Sequence, residues 1–412
     1  MRKVLLICYY FPPLGLGGIG RPLNLFKKLP DHGWGCDILT VKSVAYRAYE
    51  PELLDGLDVK RIFRSGSRDP QRLLYLLGVR QVTAGSISKT RKVSERFFPD
   101  SKAGWVNPAV RLGRVLCENR NYDCIISTSP PISSHLVGSK LNAEFGIPWV
   151  ADFRDFWTTY RVEEVFRNRQ LVARGQQLLD QIRRESTAIT VVNASISDYL
   201  TSGNLISNGY DSDLAELWKN APSDKLFTIG LLGHQLNTRE IEPLLRLLSG
   251  LKERCPNELG RLRLLQVGQA DPQWFRQLFT DRGLDICIEC YGRQPRKRTI
   301  ELLAESHAFF MAISDKVGKG VLPSRTFELT ASGRPIIANV PDGSEVARLL
   351  AGTGSAFCYE DSGTENAIQY LGELVTSFRD GTYRYVPLSD YARQFSSDAI
   401  AGKFADLMDR LV

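Results

Sequence analysis

Three loop segments of this 412-residue chain carry residue types suited to gripping a phosphorylated ligand. Gly15-Leu16-Gly17-Gly18-Ile19-Gly20 follows an apolar run and opens a helical pattern, matching G-x-G-x-x-G. Glycines there let backbone amides approach a phosphate or a sugar, and the helix start that follows favours negative charge. A dinucleotide site also needs an acid closing the second strand, and that strand ends Thr40-Val41-Lys42-Ser43, so NAD binding is not expected. A glycine turn serving close packing alone is the plain alternative. The second segment, Leu322-Pro323-Ser324-Arg325-Thr326-Phe327-Glu328, reads as a helix start with a proline near the first turn and a hydroxyl to cap it. Its amides suit a diphosphate. Glu328, about one turn on, offers a carboxylate that accepts two hydrogen bonds from paired ribose hydroxyls, although a solvated acid favoured by the dipole explains the spacing as well. In the third, Ala151-Asp152-Phe153-Arg154-Asp155-Phe156-Trp157, two acids and an arginine stand among aromatics at the carboxyl end of a strand. A ligand contact and a buried ion pair bracing the loop are equal readings there.

Other constellations are weaker. Of His32, His135, His234 and His307, only His234, after Gly233 at a strand end, is placed for a ligand. Arg293, Arg296, Lys297 and Arg298 set cations at a helix start, against the dipole, so they meet an anion or water. Asp211-Ser212-Asp213 has D-x-D spacing but lies where turn-forming acids are common, and Cys287-x-x-Cys290 lacks a second pair. No metal site is expected.

The elements that must position these loops alternate. After Met1-Arg2-Lys3 the run VLLICYYF enters Pro12-Pro13 and glycines, as a buried strand entering a loop does, and it is not expected to be a cleaved leader. Strand-like runs follow at 36–41, 123–128 and 149–153, with helical patterns at 21–29, 110–118 and 133–144. A second series, FTIGLLG, LRLLQVG, ICIECYG, AFFMAI and RPIIANV, begins near Leu226, and a helical pattern at 241–254 separates its first two members. Strands alternating with helices imply parallel βαβ units, and fully apolar strands need helices on both faces. The polar stretch 211–225 is the expected linker, and 390–412 is an amphipathic helix pattern through Ile400, Phe404, Leu407 and Leu411. Two doubly wound α/β domains with a ligand cleft between them are therefore expected.

Composition agrees with a folded chain and excludes several classes. Hydrophobic residues make up 43% and charged residues 24%, and eight cysteines are too few for a disulfide scaffold. The longest uncharged stretch, 4–20, is interrupted by prolines and glycines, so no membrane span is expected. The net charge is +7. Between Lys60 and Arg96, ten basic residues face only Asp69 and Glu95, so this segment accounts for all of it. Within it, Arg72-Leu73-Leu74-Tyr75-Leu76-Leu77-Gly78-Val79-Arg80 mixes basic and apolar residues as membrane-surface segments do, with a solvated basic loop as the alternative. Nucleic acid fits poorly, since few aromatics interleave the cations.

The loops as a set resemble the retaining glycosyltransferases of family 4, of the GT-B fold. The likeness spans nearly the whole chain: YYFPPLGLGGIGRPLNLFKKL, then FPDSKAGW, STSPPISSHLVG and GIPWVADFRDFW, which resemble a bacterial surface-polysaccharide and lipid-glycan subgroup. Ser207-Asn208-Gly209-Tyr210-Asp211 is similar to the segment closing the first domain, and VLPSRTFELTASGRPIIANVPDGS to the donor signature. The resemblance implies an acceptor-side domain over 1–212, completed by a returning C-terminal helix at 388–412, and a donor domain over 213–387. Gly17 and Gly18 would abut the donor diphosphate and sugar. Arg239, in the loop-helix segment after Gly233 where His234 also stands, would supply charge to the diphosphate. The amides of Pro323, Ser324 and Arg325 would hold the phosphates, Glu328 the ribose and Arg293 the base, with Arg154 and Asp155 on the sugar and acceptor side. The family commonly carries a further glutamate eight residues before the ribose one, where this chain has Gly320, and an arginine is frequent at the position of His234.

The implied reaction transfers a sugar from a UDP- or GDP-sugar to a hydroxyl of a glycan or polyprenyl-linked acceptor, without metal or other cofactor. The implied setting is cytoplasmic, with peripheral contact at the inner membrane face through 60–96. A catalytically silent GT-B protein that binds a nucleotide or glycan, or partners an active transferase, is the alternative, and Gly320 is its main support.

Overall fold

The computed structural model describes the chain except for residues 16–17, 45–47, 71, 73–74, 76–96, 157–167, 220–221, 223–224, 234–237, 314–318 and 386–387. Two compact units divide it: Met1–Asn208 with Ser397–Val412, and Gly209–Ser396.

The first unit is built on a seven-stranded parallel sheet. Its strands are β1 (Arg2–Ile7), β2 (Trp34–Val41), β3 (Ile62–Ser65), β4 (Cys124–Ser129), β5 (Trp149–Phe153), β6 (Ala188–Val191) and β7 (Asn204–Leu205), in the order β3-β2-β1-β4-β5-β6-β7. Alternation along each strand feeds two cores. Leu5, Ile7, Leu39, Ile125 and Phe153 face one, while Val4, Leu6, Ile38, Ile126 and Val150 face the other. Both faces of the central strands β1, β2, β4 and β5 are buried, which is why these runs are mainly apolar.

The second unit has a six-stranded parallel sheet of β8 (Phe227–Leu232), β9 (Leu262–Val267), β10 (Cys287–Cys290), β11 (Ala308–Ala312), β12 (Ile336–Asn339) and β13 (Ala356–Tyr359), ordered β10-β9-β8-β11-β12-β13. Phe227, Ile229, Leu264 and Phe310 point to one core, and Leu265, Phe309, Met311 and Ile336 to the other.

The C-terminal pattern divides. The helix Ser397–Asp409 belongs to the first unit, where Ile400, Phe404 and Leu407 join the core of Leu23, Phe26 and Ile38. Each such side chain taken from water contributes about 1.5–3 kcal/mol. Asp409 fixes the end of this helix by accepting from Trp34 Nε1 at 2.9 Å. Residues 390–396 instead stay with the second unit, where Tyr210 N donates to Phe395 O at 2.9 Å and Tyr210 pairs with Ser396. The first crossing likewise falls after Asn208, ahead of the expected 212. Part of the stretch expected to be a linker is structured: 215–219 forms a 3-10 helix whose Trp218 is 5% exposed and packs edge-on against Phe309. Among the described residues no helix is long and apolar enough to cross a membrane.

Candidate functional site

Parallel sheets of this kind bind ligands beyond the carboxyl ends of the strands, where the strand order reverses. That reversal lies between β1 and β4 in the first unit and between β8 and β11 in the second. Each unit places an arginine there.

In the first unit the arginine is Arg154, on the turn that follows β5. Its guanidinium meets backbone carbonyls: Nε donates to Ser129 O at 3.0 Å, Nη2 to Pro130 O at 3.3 Å, and Nη1 to Gly18 O. It thereby ties the glycine loop after β1 to the Ser-Pro-Pro loop after β4. Gly18 has φ +89°, and a Cβ there would stand in ordinary contact, 3.5 Å from Arg154 Nη1, so backbone conformation rather than space calls for glycine. Gly17 lies outside the described residues. Asp155 accepts no hydrogen bond from a described residue. Burial pushes its carboxyl up to about 7, against the opposing pull of Arg154.

The expected ion pair exists, but it joins other residues. Asp152, fully buried, accepts from Arg21 Nη2 at 2.7 Å and Nε at 3.0 Å, and from the hydroxyls of Thr128 and Thr190, each at 2.7 Å. Burial alone would raise the Asp152 carboxyl; Arg21 and the hydroxyls outweigh that and hold it below the usual carboxylate range. Arg21 also donates to Ile206 O and Ser207 O and lies 4.8 Å from the Phe404 ring centroid. The first acid of the segment thus braces the first unit, while the second is half-buried.

Sequence reasoning missed a buried charge cluster in the same unit. Asp69 accepts from Tyr9 Oη at 2.6 Å and Ser67 Oγ at 2.8 Å, and the cations of Arg72 and Lys102 each approach it to 3.5 Å. The signal was Asp69 itself, an isolated acid in the basic segment. That segment is also less available than its charge suggests. Arg72 is 5% exposed, Arg61 pairs with Asp37 at 2.7 Å, and Arg64 donates to Val41 O at 3.1 Å. Residues 76–96 lie outside the described residues, as does Trp157.

In the second unit three strands end in glycine, and their ends interlock. Gly233 N donates to Val267 O at 3.2 Å and Gly268 N to Gly292 O at 2.8 Å. A Cβ on Gly268 would stand only 1.5 Å from Gly233 O. His234 lies outside the described residues, and Arg239 is exposed on the first turn of the helix Thr238–Arg254. The arginine at this reversal is Arg325, which donates to Leu232 O and Ala312 O, each at 3.3 Å, and lies 3.5 Å from Glu240. Pro323, not Ser324, occupies the N-cap of the helix Ser324–Thr330, and no side chain caps it, contrary to the expected hydroxyl cap.

Glu328 faces Arg296, to which it is ion-paired, and Arg296 also lies 3.6 Å from Asp211. The anion met by this helix-start cation is therefore the protein's own. Burial raises the Glu328 carboxyl and Arg296 opposes the shift. Arg298 pairs with Glu301 at 3.2 Å, and Arg293 is exposed just beyond β10, after Gly292. A cavity of about 290 Å³ opens further along this sheet, lined by Asp342, Tyr359, Glu360 and Asn366, and holds none of the expected residues. Among the described residues no three His, Cys, Asp or Glu side chains gather as a metal site.

No family model and no curated protein matches the sequence. Solved structures match over the full chain. Sucrose-phosphate synthase from Thermosynechococcus elongatus is 15% identical, with a TM-score of 0.61, and the match covers 100% of this chain and 99% of that one. A glycosyltransferase from Rickettsia africae ESF-5 is 13% identical, with a TM-score of 0.60 and coverage of 100% and 98%. An E. coli structure described as trehalose-6-phosphate bound with UDP-2-fluoro glucose is 10% identical, with a TM-score of 0.61 and coverage of 100% and 99%. Two parallel sheets of seven and six strands, matched end to end by these structures, give the chain the GT-B fold.

Proposed function

We propose that the chain is a retaining glycosyltransferase of the family 4 type, moving a sugar from a nucleotide diphosphate sugar to a hydroxyl of a glycan or lipid-linked glycan. The observation that carries this reading is the full-length likeness to glycosyltransferase structures, joined to the residues at the carboxyl edge of the second sheet. The UDP-2-fluoro glucose in one neighbour supports a nucleotide-sugar donor. Arg239, Arg325 and the uncapped helix start at Pro323 and Ser324 suit the diphosphate, Arg293 the base and Glu328 the ribose. His234 and Gly17 belong to the same proposal by resemblance.

Negative charge grows on the diphosphate as the bond between its oxygen and the anomeric carbon breaks. Fixed cations and amides stabilise that charge without reorganising, and losing one such donor typically costs ~10²–10³ in rate. The acceptor oxygen bonds to the anomeric carbon on the face the phosphate leaves, and the departing phosphate takes the acceptor proton. Protein cations then do the work of a metal. In the first unit, Arg154 holds the Gly18 loop in place and Asp155 offers a carboxyl to a sugar or acceptor hydroxyl. A polyprenyl-linked acceptor at the inner membrane face would meet the remaining basic residues of 60–96, and co-sedimentation with anionic against neutral liposomes checks that part.

The central test is a thermal-shift panel of UDP- and GDP-sugars, followed by nucleotide release with glycan and lipid acceptors. Stabilisation and release are expected, with Arg239→Ala slowing turnover ~10²–10³-fold. Unchanged turnover in that variant removes the charge assignment. Stabilisation without turnover on any acceptor favours the silent binder, in line with Gly320.

A further inference from the structure

The Asn-Gly-Tyr-Asp segment and the cationic helix start at Arg296 are distinct features in the sequence, and they meet at Glu328. Asp211 is 4% exposed and is fixed by its own turn, where Oδ1 accepts from Asp213 N at 3.1 Å. Arg296 bridges the two carboxylates with the ends of its fork, Nη1 toward Asp211 and Nη2 to Oε1 of Glu328. Oε2 of Glu328 accepts no hydrogen bond from a described residue. The arrangement explains a cation on the first turn of the helix Arg296–Leu303, where the dipole alone disfavours it.

We propose, on the nucleotide-sugar reading above, that Arg296 is a positioning residue for ribose recognition: anchored by Asp211, it holds Glu328 through Oε1 and leaves Oε2 to the ribose diol. Geometry gives it this task. A glutamate side chain has three rotatable bonds and the helix carrying Glu328 is only Ser324–Thr330, so the carboxylate needs a lateral support. A planar guanidinium supplies one in a fixed direction, where an ammonium is a point charge. Support also opposes burial, which favours the protonated form, a form that donates one of the bonds the carboxylate should accept.

The test compares equilibrium binding of UDP and GDP with that of their 2′,3′-dideoxy counterparts to the full chain. Hydrogen bonds to a charged group make the wild-type preference for the ribose form about tenfold or more. Glu328→Gln and Arg296→Gln should each bring that ratio close to one while leaving the dideoxy affinity little changed. Arg296→Lys should restore part of the preference, and the double variant should lose no more than either single one, as coupled partners do. Melting temperatures show that the variants are folded, and Arg296→Lys keeps the question answerable if Arg296→Gln is not. A ratio unmoved in both Arg296 variants, with both nucleotide forms weakened equally, overturns the proposal alone. Wild-type protein that binds neither UDP nor GDP overturns the nucleotide-sugar reading and this proposal with it.

Discussion

Arg154 donates from all three of its nitrogens to backbone oxygen, so its charge is shared among carbonyl dipoles and Asp155 is left to its surroundings. Burial lifts the Asp155 carboxyl from 3.8 to about 7. The sign of its effect on stability follows. A folded-state value above the unfolded one means that ionisation costs more in the native protein. The penalty is absent below about pH 4, builds between 4 and 7, and is complete above 7. Asp155→Asn should therefore melt with the wild type near pH 4 and above it at pH 8, by on the order of 1 kcal/mol or more. Coincident melting curves at pH 8 would mean that the folded protein does not hold the Asp155 carboxyl above its ordinary value. The reading of this segment as a buried ion pair is met with a different arginine, Arg21, 131 positions from Asp152. Spacing along the chain shows neighbours such as Arg154 and Asp155, and it is silent on partners that only the sheet brings together.

At the scale of elements, the strands most legible in the sequence include runs whose side chains are buried on both faces. Trp149–Phe153 and Phe227–Leu232 are of this kind, because apolar faces leave no ambiguity of period. Ile62–Ser65 is hidden in a basic stretch, and Asn204–Leu205 is a two-residue edge strand with both residues exposed. The stretch 211–225 looked like a linker because its composition is polar, yet a buried indole, Trp218, anchors residues 215–219 of it. The glycines ending β8, β9 and β10 were visible as stops, while their unequal importance was not. Gly268 combines φ +139° with a Cβ position 1.5 Å from Gly233 O, whereas Gly292, at φ +59°, has nothing within 4 Å. Gly292→Ala should cost only the left-handed penalty, about 1–2 kcal/mol. Gly268→Ala must push the ends of β8 and β9 apart and should cost over ~4 kcal/mol, in the range where a named backbone clash is required. Urea unfolding followed by a probe in the second unit separates the two. Equal losses would mean that the glycine ends do not interlock.

At the scale of the whole molecule, each unit carries among its described residues one buried, neutral histidine, and this gives both a source of weakness to acid. His135 is fully buried, shares a 2.7 Å hydrogen bond with Ser127 Oγ, packs 4.4 Å from the Phe153 ring, and has no partner for Nε2 among the described residues. His307 accepts from Thr228 N at 3.0 Å through Nδ1 and stacks on Phe227 at 5.2 Å. Burial lowers the first from 6.5 to about 3 and the second to about 4. A folded-state value below the unfolded one favours the neutral ring in the native protein. The stability this provides is whole above pH 6.5 and is lost as pH falls, because each unfolded unit takes up a proton that its folded form refuses. Between pH 6.5 and 5 each histidine should withdraw roughly 2 kcal/mol from its unit, and in the first unit Asp155, whose ionisation penalty lifts over the same range, offsets part of that loss. The two losses are separable. His307→Asn keeps an acceptor for Thr228 N and should flatten the acid limb of the second unit alone, and His135→Asn that of the first. Calorimetric scans from pH 7 to 5 on the wild type and both variants read this directly. A histidine variant whose acid limb matches that of the wild type would show that its ring reaches a proton acceptor or water when folded.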